Sequence, residues 1–117
     1  MRIDLHTHSD DALTRKATRA NLNYLLQGVT TVVTGNCGSG PHDVGAYFKA
    51  MDDGGVGSNV LHLVPHNSVR RQVMGNVNRK PSEKELQKMK ALVEKGMKDG
   101  ACGMSTGLIY DPGSYSE

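Results

Sequence analysis

The run Val29-Thr30-Thr31-Val32-Val33-Thr34 constrains the fold more than any other feature of this chain. β-Branched side chains favour extended backbone. A strand with one solvated face would alternate apolar and polar residues, and this run does not. It reads as a strand buried on both faces, as in a parallel sheet. Three further β-like runs recur, Arg2 to His6, Val60 to Val64, and a fourth near Ala101 to Ser105. Between the first two, Ala17, Ala20, Tyr24 and Leu25 recur at helical spacing until Gly28. Val44 to Met51 suits a short helix that stops at Asp52-Asp53-Gly54-Gly55. Before the fourth run, Ser82 and Glu85 form a capping box. Leu86, Met89, Val93 and Met97 follow as an apolar stripe, Lys95 and Lys98 suit the negative end of the helix, and Gly100 ends it. This repetition predicts an α/β fold, four βα units of a (β/α)8 TIM barrel. That is a half barrel on a parallel sheet, with a small open doubly wound sheet as the other arrangement.

The length bounds that reading. At 117 residues the chain holds one domain, spanning 1–117. It is less than half of a complete barrel, which takes about 250 residues. Fourteen basic and 12 acidic residues give a net charge of +2 and no dense Lys/Arg run, so neither nucleic acid nor a membrane surface is an expected partner. No apolar stretch is long enough to cross a bilayer, and no charged-then-apolar signal opens the chain. Two cysteines in unlike settings make no disulfide framework, so a reduced, cytoplasmic protein is expected.

In parallel α/β proteins the reactive residues gather in loops after the carboxyl ends of the strands. His6-Thr7-His8 falls at such an end, and residues two apart on a strand point to one side, so both imidazoles can face one ion. An arbitrary His-x-His is most often accidental. This one ends an apolar strand between Asp4 and Asp10, which could orient the rings as acceptors. The second strand runs into Gly35-Asn36-Cys37-Gly38-Ser39-Gly40, where glycines allow a tight turn that exposes the thiol. Cys37 fits a metal ligand, a nucleophile or an inert loop residue, and its strand-end position beside the histidine pair favours the metal. His66 lies just past the third strand and should look into the same mouth. His62, inside that strand, reads as a packed residue, and His42 as a turn or helix-start residue. Cys102 reads as a small buried residue. After the fourth strand, Ser105 to Tyr115 offers hydroxyls and a close-packed glycine that suit a carboxylate or amide, or else an Asp-Pro-Gly turn with two exposed tyrosines.

The opening Met1 to Asp10 resembles both the start of PHP-type phosphoesterases and the first-strand motif of the amidohydrolase superfamily. A PHP domain should carry a Thr-Asp-His-type motif after its second strand, whereas this chain has Gly-Val-Thr-Thr-Val-Val-Thr-Gly-Asn-Cys-Gly. That string resembles the D-aminoacylase (N-acyl-D-amino-acid deacylase) branch of the amidohydrolases. The stretches from Asn59 to Gly75 and from Gly100 to Tyr115 are similar to that family's third- and fourth-strand segments.

The resemblance implies a zinc-dependent hydrolase of linear amides acting on a small-molecule N-acyl-D-amino acid. His6, His8 and Cys37 would hold one or two Zn²⁺ ions, and Ser105, Tyr110, Tyr115 and His66 would border the substrate. It also implies further metal-binding histidines on strands five and six and a general-base Asp on strand eight, all beyond this chain. The expectation is therefore a fragment, inactive alone, either a piece of a longer chain or a natural half that joins a complementary half-barrel chain or a second copy of itself. A PHP-type phosphoesterase and a non-catalytic metal-binding remnant are the alternatives.

Overall fold

In a computed structural model, which describes residues 1–116, Val29–Thr34 forms strand β2 over the whole β-branched run. β2 lies between β1 (Arg2–Asp4) and β3 (Asn59–Pro65), and β4 (Gly103–Ser105) joins the far side of β3. All three pairings are parallel, with Ile3 opposite Thr31, Thr34 opposite His62, and Pro65 opposite Ser105. The result is a curled half barrel with its helices packed on it, matching the amino-terminal part of a TIM-barrel-like amidohydrolase.

Two apolar clusters join the helices to the sheet. In one, Leu13 and Val32 pack with Tyr47 and Met51 of α2 (Val44–Gly54). In the other, Val64 packs with Val69 and Met74 of α3 (His66–Met74), Met89 of α4 (Glu83–Lys98), and Val44 and Ala101. Val32 and Val64 are fully buried, while Leu61 and the edge residue Ile3 on the alternate face stay 42% and 53% exposed. Strand alternation puts those two on the side that lines a barrel interior.

The capping box opens α4 as expected. The Ser82 hydroxyl accepts from the Glu85 amide (3.3 Å) and the Glu85 carboxylate accepts from the Ser82 amide (2.8 Å). The stripe ends differently. Leu86, Met89 and Val93 pack inward, but Met97 is exposed and Gly96 takes the buried position. A Cβ at Gly96 would sit 2.7 Å from a Val64 methyl, so the missing side chain lets α4 approach the sheet closely.

Two other expectations are corrected, and one helix is new. The helix between β1 and β2 shrinks to Leu22–Leu25 (α1), preceded by a 3-10 turn at Ala12–Thr14. Ala17 and Ala20 are exposed and give a helix no face to bury, Thr18 bonds back to the Ala12 carbonyl (2.7 Å), and Asn21 is left-handed (φ 52°) with its amide tied to the Ser58 hydroxyl (2.8 Å). A nine-residue helix, α3, follows β3 directly and was not among the expected elements. Its inner face mixes Val69 and Met74 with buried Asn67 and Arg70, which hides the apolar period. Cys102 is exposed rather than buried and lies one residue before β4, where its amide donates to the His62 carbonyl (2.9 Å). Among the described residues no helix is long and apolar enough to cross a membrane.

Candidate metal centre

β1 ends at Asp4, so His6 and His8 lie on an irregular extension of it. Thr7 fixes their direction. Its amide (3.1 Å) and hydroxyl (2.8 Å) both donate to the Val33 carbonyl, and the residue is buried. With Thr7 pinned against β2, its two neighbours project outward, and both imidazoles are exposed. Their ring centroids are 5.3 Å apart with planes at 69°. The carboxylates serve the backbone rather than the rings. Asp4 accepts from the His6 amide (3.0 Å) and Asp10 from the Gly35 amide (2.7 Å).

Cys37 comes from the other side. Directly after β2, Gly35 (φ 76°) and Cys37 itself (φ 55°, ψ 26°) adopt left-handed backbone. A Cβ at Gly35 would run into the Leu63 carbonyl, so only glycine fits there. The Asn36 side-chain amide donates to the Thr7 (3.1 Å) and Val33 (2.9 Å) carbonyls, locking the loop to the β1 extension. Ser105 at the end of β4 ties the other side, accepting from the Gly38 amide (2.9 Å) and donating to the Gly35 carbonyl.

These ties bring the ligand atoms of His6, His8 and Cys37 within 4.8 Å of one another, with Cys37 Sγ 3.4 Å from His6 Nε2. Tetrahedral zinc with Zn–N near 2.0 Å and Zn–S near 2.3 Å needs ligand atoms roughly 3.5 Å apart. His6 and Cys37 already stand at that spacing, and His8 lies within 4.8 Å of both. Two imidazoles and a thiol are a donor set suited to zinc, and three protein ligands leave one position open. Among the described residues no carboxylate joins the group.

The remaining candidates lie around β4 and α3. His66, the first residue of α3, is half-buried, with Nδ1 3.0 Å from the Thr106 hydroxyl and Nε2 3.5 Å from that of Ser116. Burial, and then the Arg70 guanidinium, hold it below the ordinary histidine range. Tyr110 is 54% exposed. Tyr115 donates to the Asp111 carboxylate (2.9 Å), a bond that raises the tyrosine, while the Ser114 hydroxyl first and Tyr115 second lower the acid. Asn67 went unnoticed in the sequence, yet it is fully buried and its amide donates to the Gly107 (3.0 Å) and Tyr110 (3.3 Å) carbonyls, which sets the loop after β4. The only signal for it was an amide side chain just past a strand end, and Asn36 offered the same signal within a glycine-rich loop.

A curled parallel half barrel with two imidazoles and a thiol gathered after β1 and β2 is the arrangement expected of the amino-terminal part of an amidohydrolase barrel. No protein-family model matches the chain, but individual proteins do. It is 34% identical to a D-aminoacylase of Alcaligenes xylosoxydans xylosoxydans over an alignment 133 positions long, gaps included, covering 94% of this chain and 27% of that enzyme. A D-aminoacylase studied for its binuclear metal centre superposes with a TM-score of 0.89 at 32% identity, over 98% of this chain and 29% of the other. An N-acyl-D-glutamate deacylase from Bordetella bronchiseptica, solved with zinc and a phosphonate inhibitor, gives 0.87 at 32%, over 98% and 28%. The chain belongs to the D-aminoacylase family and corresponds to the amino-terminal part of its barrel. It spans about 27% of the length of the curated relatives it matches.

Proposed function

We propose that this chain supplies the metal-binding corner of an N-acyl-D-amino-acid deacylase, with His6, His8 and Cys37 as ligands to zinc. One observation carries the reading. Two strand ends deliver three ligand atoms within 4.8 Å on a chain one-third identical to D-aminoacylase. The comparisons lend no support to a PHP-type phosphoesterase or to a non-catalytic remnant.

Bound zinc would polarise the amide carbonyl and ease deprotonation of a water. This chain's residues hold and orient. Thr7 aims the two imidazoles, while Asn36 and Ser105 fix the loop that presents the thiol. Tyr110 is open to a substrate, and His66 with Tyr115 borders the same loop cluster. Among the described residues no carboxylate joins the corner, so in this reading the general base comes from outside it and the chain alone would be inactive. The free edges of β1 and β4, with Ile3 and Leu61 exposed beside them, support a partner half barrel or second copy, and two free cysteines suit a reducing cytoplasm.

Metal content by inductively coupled plasma mass spectrometry tests the reading. Wild type should retain zinc after desalting, and Cys37→Ala and His6→Ala should not. Equal, low retention in all three would sink the metal corner. N-Acetyl-D-amino-acid hydrolysis should be blank for the chain alone, and appreciable turnover would refute dependence on an outside base.

A further inference from the structure

His62 is a buried titratable group with no place in the metal corner, and its surroundings are not those of a residue that merely fills space. It is fully buried in β3, opposite Thr34 at the end of β2. Nε2 lies 2.9 Å from the Pro41 carbonyl and Nδ1 2.7 Å from the Thr34 hydroxyl. A carbonyl only accepts, so Nε2 carries the proton, and Nδ1 of the neutral ring accepts from Thr34. Burial favours that neutral form, against the opposing pulls of Pro41 and Asp10. Thr34 and Pro41 are the two ends of the segment that carries Cys37. One imidazole therefore spans the base of the loop.

The contacts above and below the ring leave it little freedom. A Cβ at Gly35 would come 2.8 Å from the imidazole, so the first residue of the loop rests on the ring. Tyr47 and Phe48 of α2 pack against it at centroid distances of 4.8 and 6.3 Å. The Tyr47 hydroxyl, pushed up to about 12 by burial, stays protonated and donates to the Asp10 carbonyl (3.2 Å). Asp10 in turn accepts from the Gly35 amide.

We infer that His62 is a positioning residue that staples both ends of the 34–41 loop and so sets where the Cys37 thiol stands relative to His6 and His8. Groups that orient ligands in this way typically contribute about 10–100-fold in metal affinity. The inference rests on the metal reading only for its affinity arm, because the loop conformation can be followed without an ion.

The test uses the full chain with Cys102→Ser, which leaves Cys37 as the only thiol. Cobalt(II) titration, followed by the thiolate-to-cobalt absorption band, gives affinity, and reaction of the metal-free protein with Ellman's reagent gives thiol access. His62→Leu should weaken cobalt binding at least about tenfold and change the thiol rate. His62→Gln, whose amide can still donate to Pro41, should restore part of both. A drop in melting temperature with unchanged affinity and thiol rate assigns His62 to packing alone and overturns the inference. If wild type binds no cobalt, the metal reading fails and the thiol rate alone decides, a change supporting the staple and none overturning it. If His62→Leu does not fold, Thr34→Val removes one side of the staple with little change of shape. The same shift in thiol rate there supports the inference, and a wild-type rate overturns it.

Discussion

The loop at the top of β2 and the helical layer over β3 are held by different forces. Cys37 sits on a segment fixed by hydrogen bonds to four places: Asp10, Thr7 and Val33 together, Ser105, and His62. The layer of α3 and α4 is held by apolar contact among Val64, Val69, Met74, Met89 and Ala101. Directional bonds place an atom accurately but fail when one backbone angle is denied. Apolar packing tolerates change in proportion to the volume removed. The loop should therefore break abruptly and lose metal, and the layer should weaken gradually and keep it.

Gly35→Ala should give the largest effect. It combines left-handed strain with a clash against the Leu63 carbonyl, which together amount to about 2–5 kcal/mol. Urea denaturation should show the loss, and metal retention should vanish with it. Gly28→Ala is the matched control, also at positive φ (79°) but with nothing near the added Cβ. It should cost only about 1 kcal/mol and leave metal retention intact. Equal effects at the two glycines would show that strain, not the packing of the loop, governs Gly35.

Met89→Ala should come next, at about 2–4 kcal/mol for emptying a buried position in the helical layer. The metal-to-protein ratio under folding conditions should equal that of wild type. A lowered ratio would mean that the layer and the loop are coupled, and would break the comparison. Ser82→Ala should cost about 1 kcal/mol through loss of the cap, read as a small fall in melting temperature.

How much was legible in the sequence follows the same division. β2 was readable residue for residue, because an uninterrupted β-branched run favours extended backbone throughout, although only Val32 to Thr34 are buried. The α4 start was readable from Ser82 and Glu85, whose chemistry is local. The stripe misled only at its end, where close approach to Val64 selects a glycine that no apolar count detects. His6, His8 and Cys37 were picked out by residue type and strand-end position, and the fold brings their ligand atoms together. What holds them was not legible. Thr7, Asn36 and His62 act through backbone carbonyls of residues 26, 29 and 21 positions away, and such partners leave no periodic trace. α3 left no apolar period for a related reason, since Asn67 and Arg70 are buried for the loops they tie rather than for their hydropathy.

The smallest effect belongs to charge at the α4 cap. Glu85 accepts from Arg79 through both carboxylate oxygens (2.6 and 2.8 Å) and from the Ser82 amide. Arg79 first, and Ser82 after it, hold the carboxyl well below the usual carboxylate range. A group whose folded value lies below its unfolded one stabilises the fold above the unfolded value, near pH 4.3 for Glu, and loses that contribution as pH falls through the folded value. Glu85→Gln should therefore lower the melting temperature slightly at neutral pH, with the gap to wild type closing as the solution is acidified below about pH 4. Asp43, lowered chiefly by Lys95, shapes the acid limb of both proteins alike, so the difference isolates Glu85. Because the pair is solvent-exposed, added salt should shrink the gap as well. A gap that persisted unchanged in acid would mean that the side chain acts through shape and not charge. Metal retention should be the same in both proteins throughout, since the capping bonds of Glu85 end at Ser82 and Arg79 and reach no residue of the 34–41 loop.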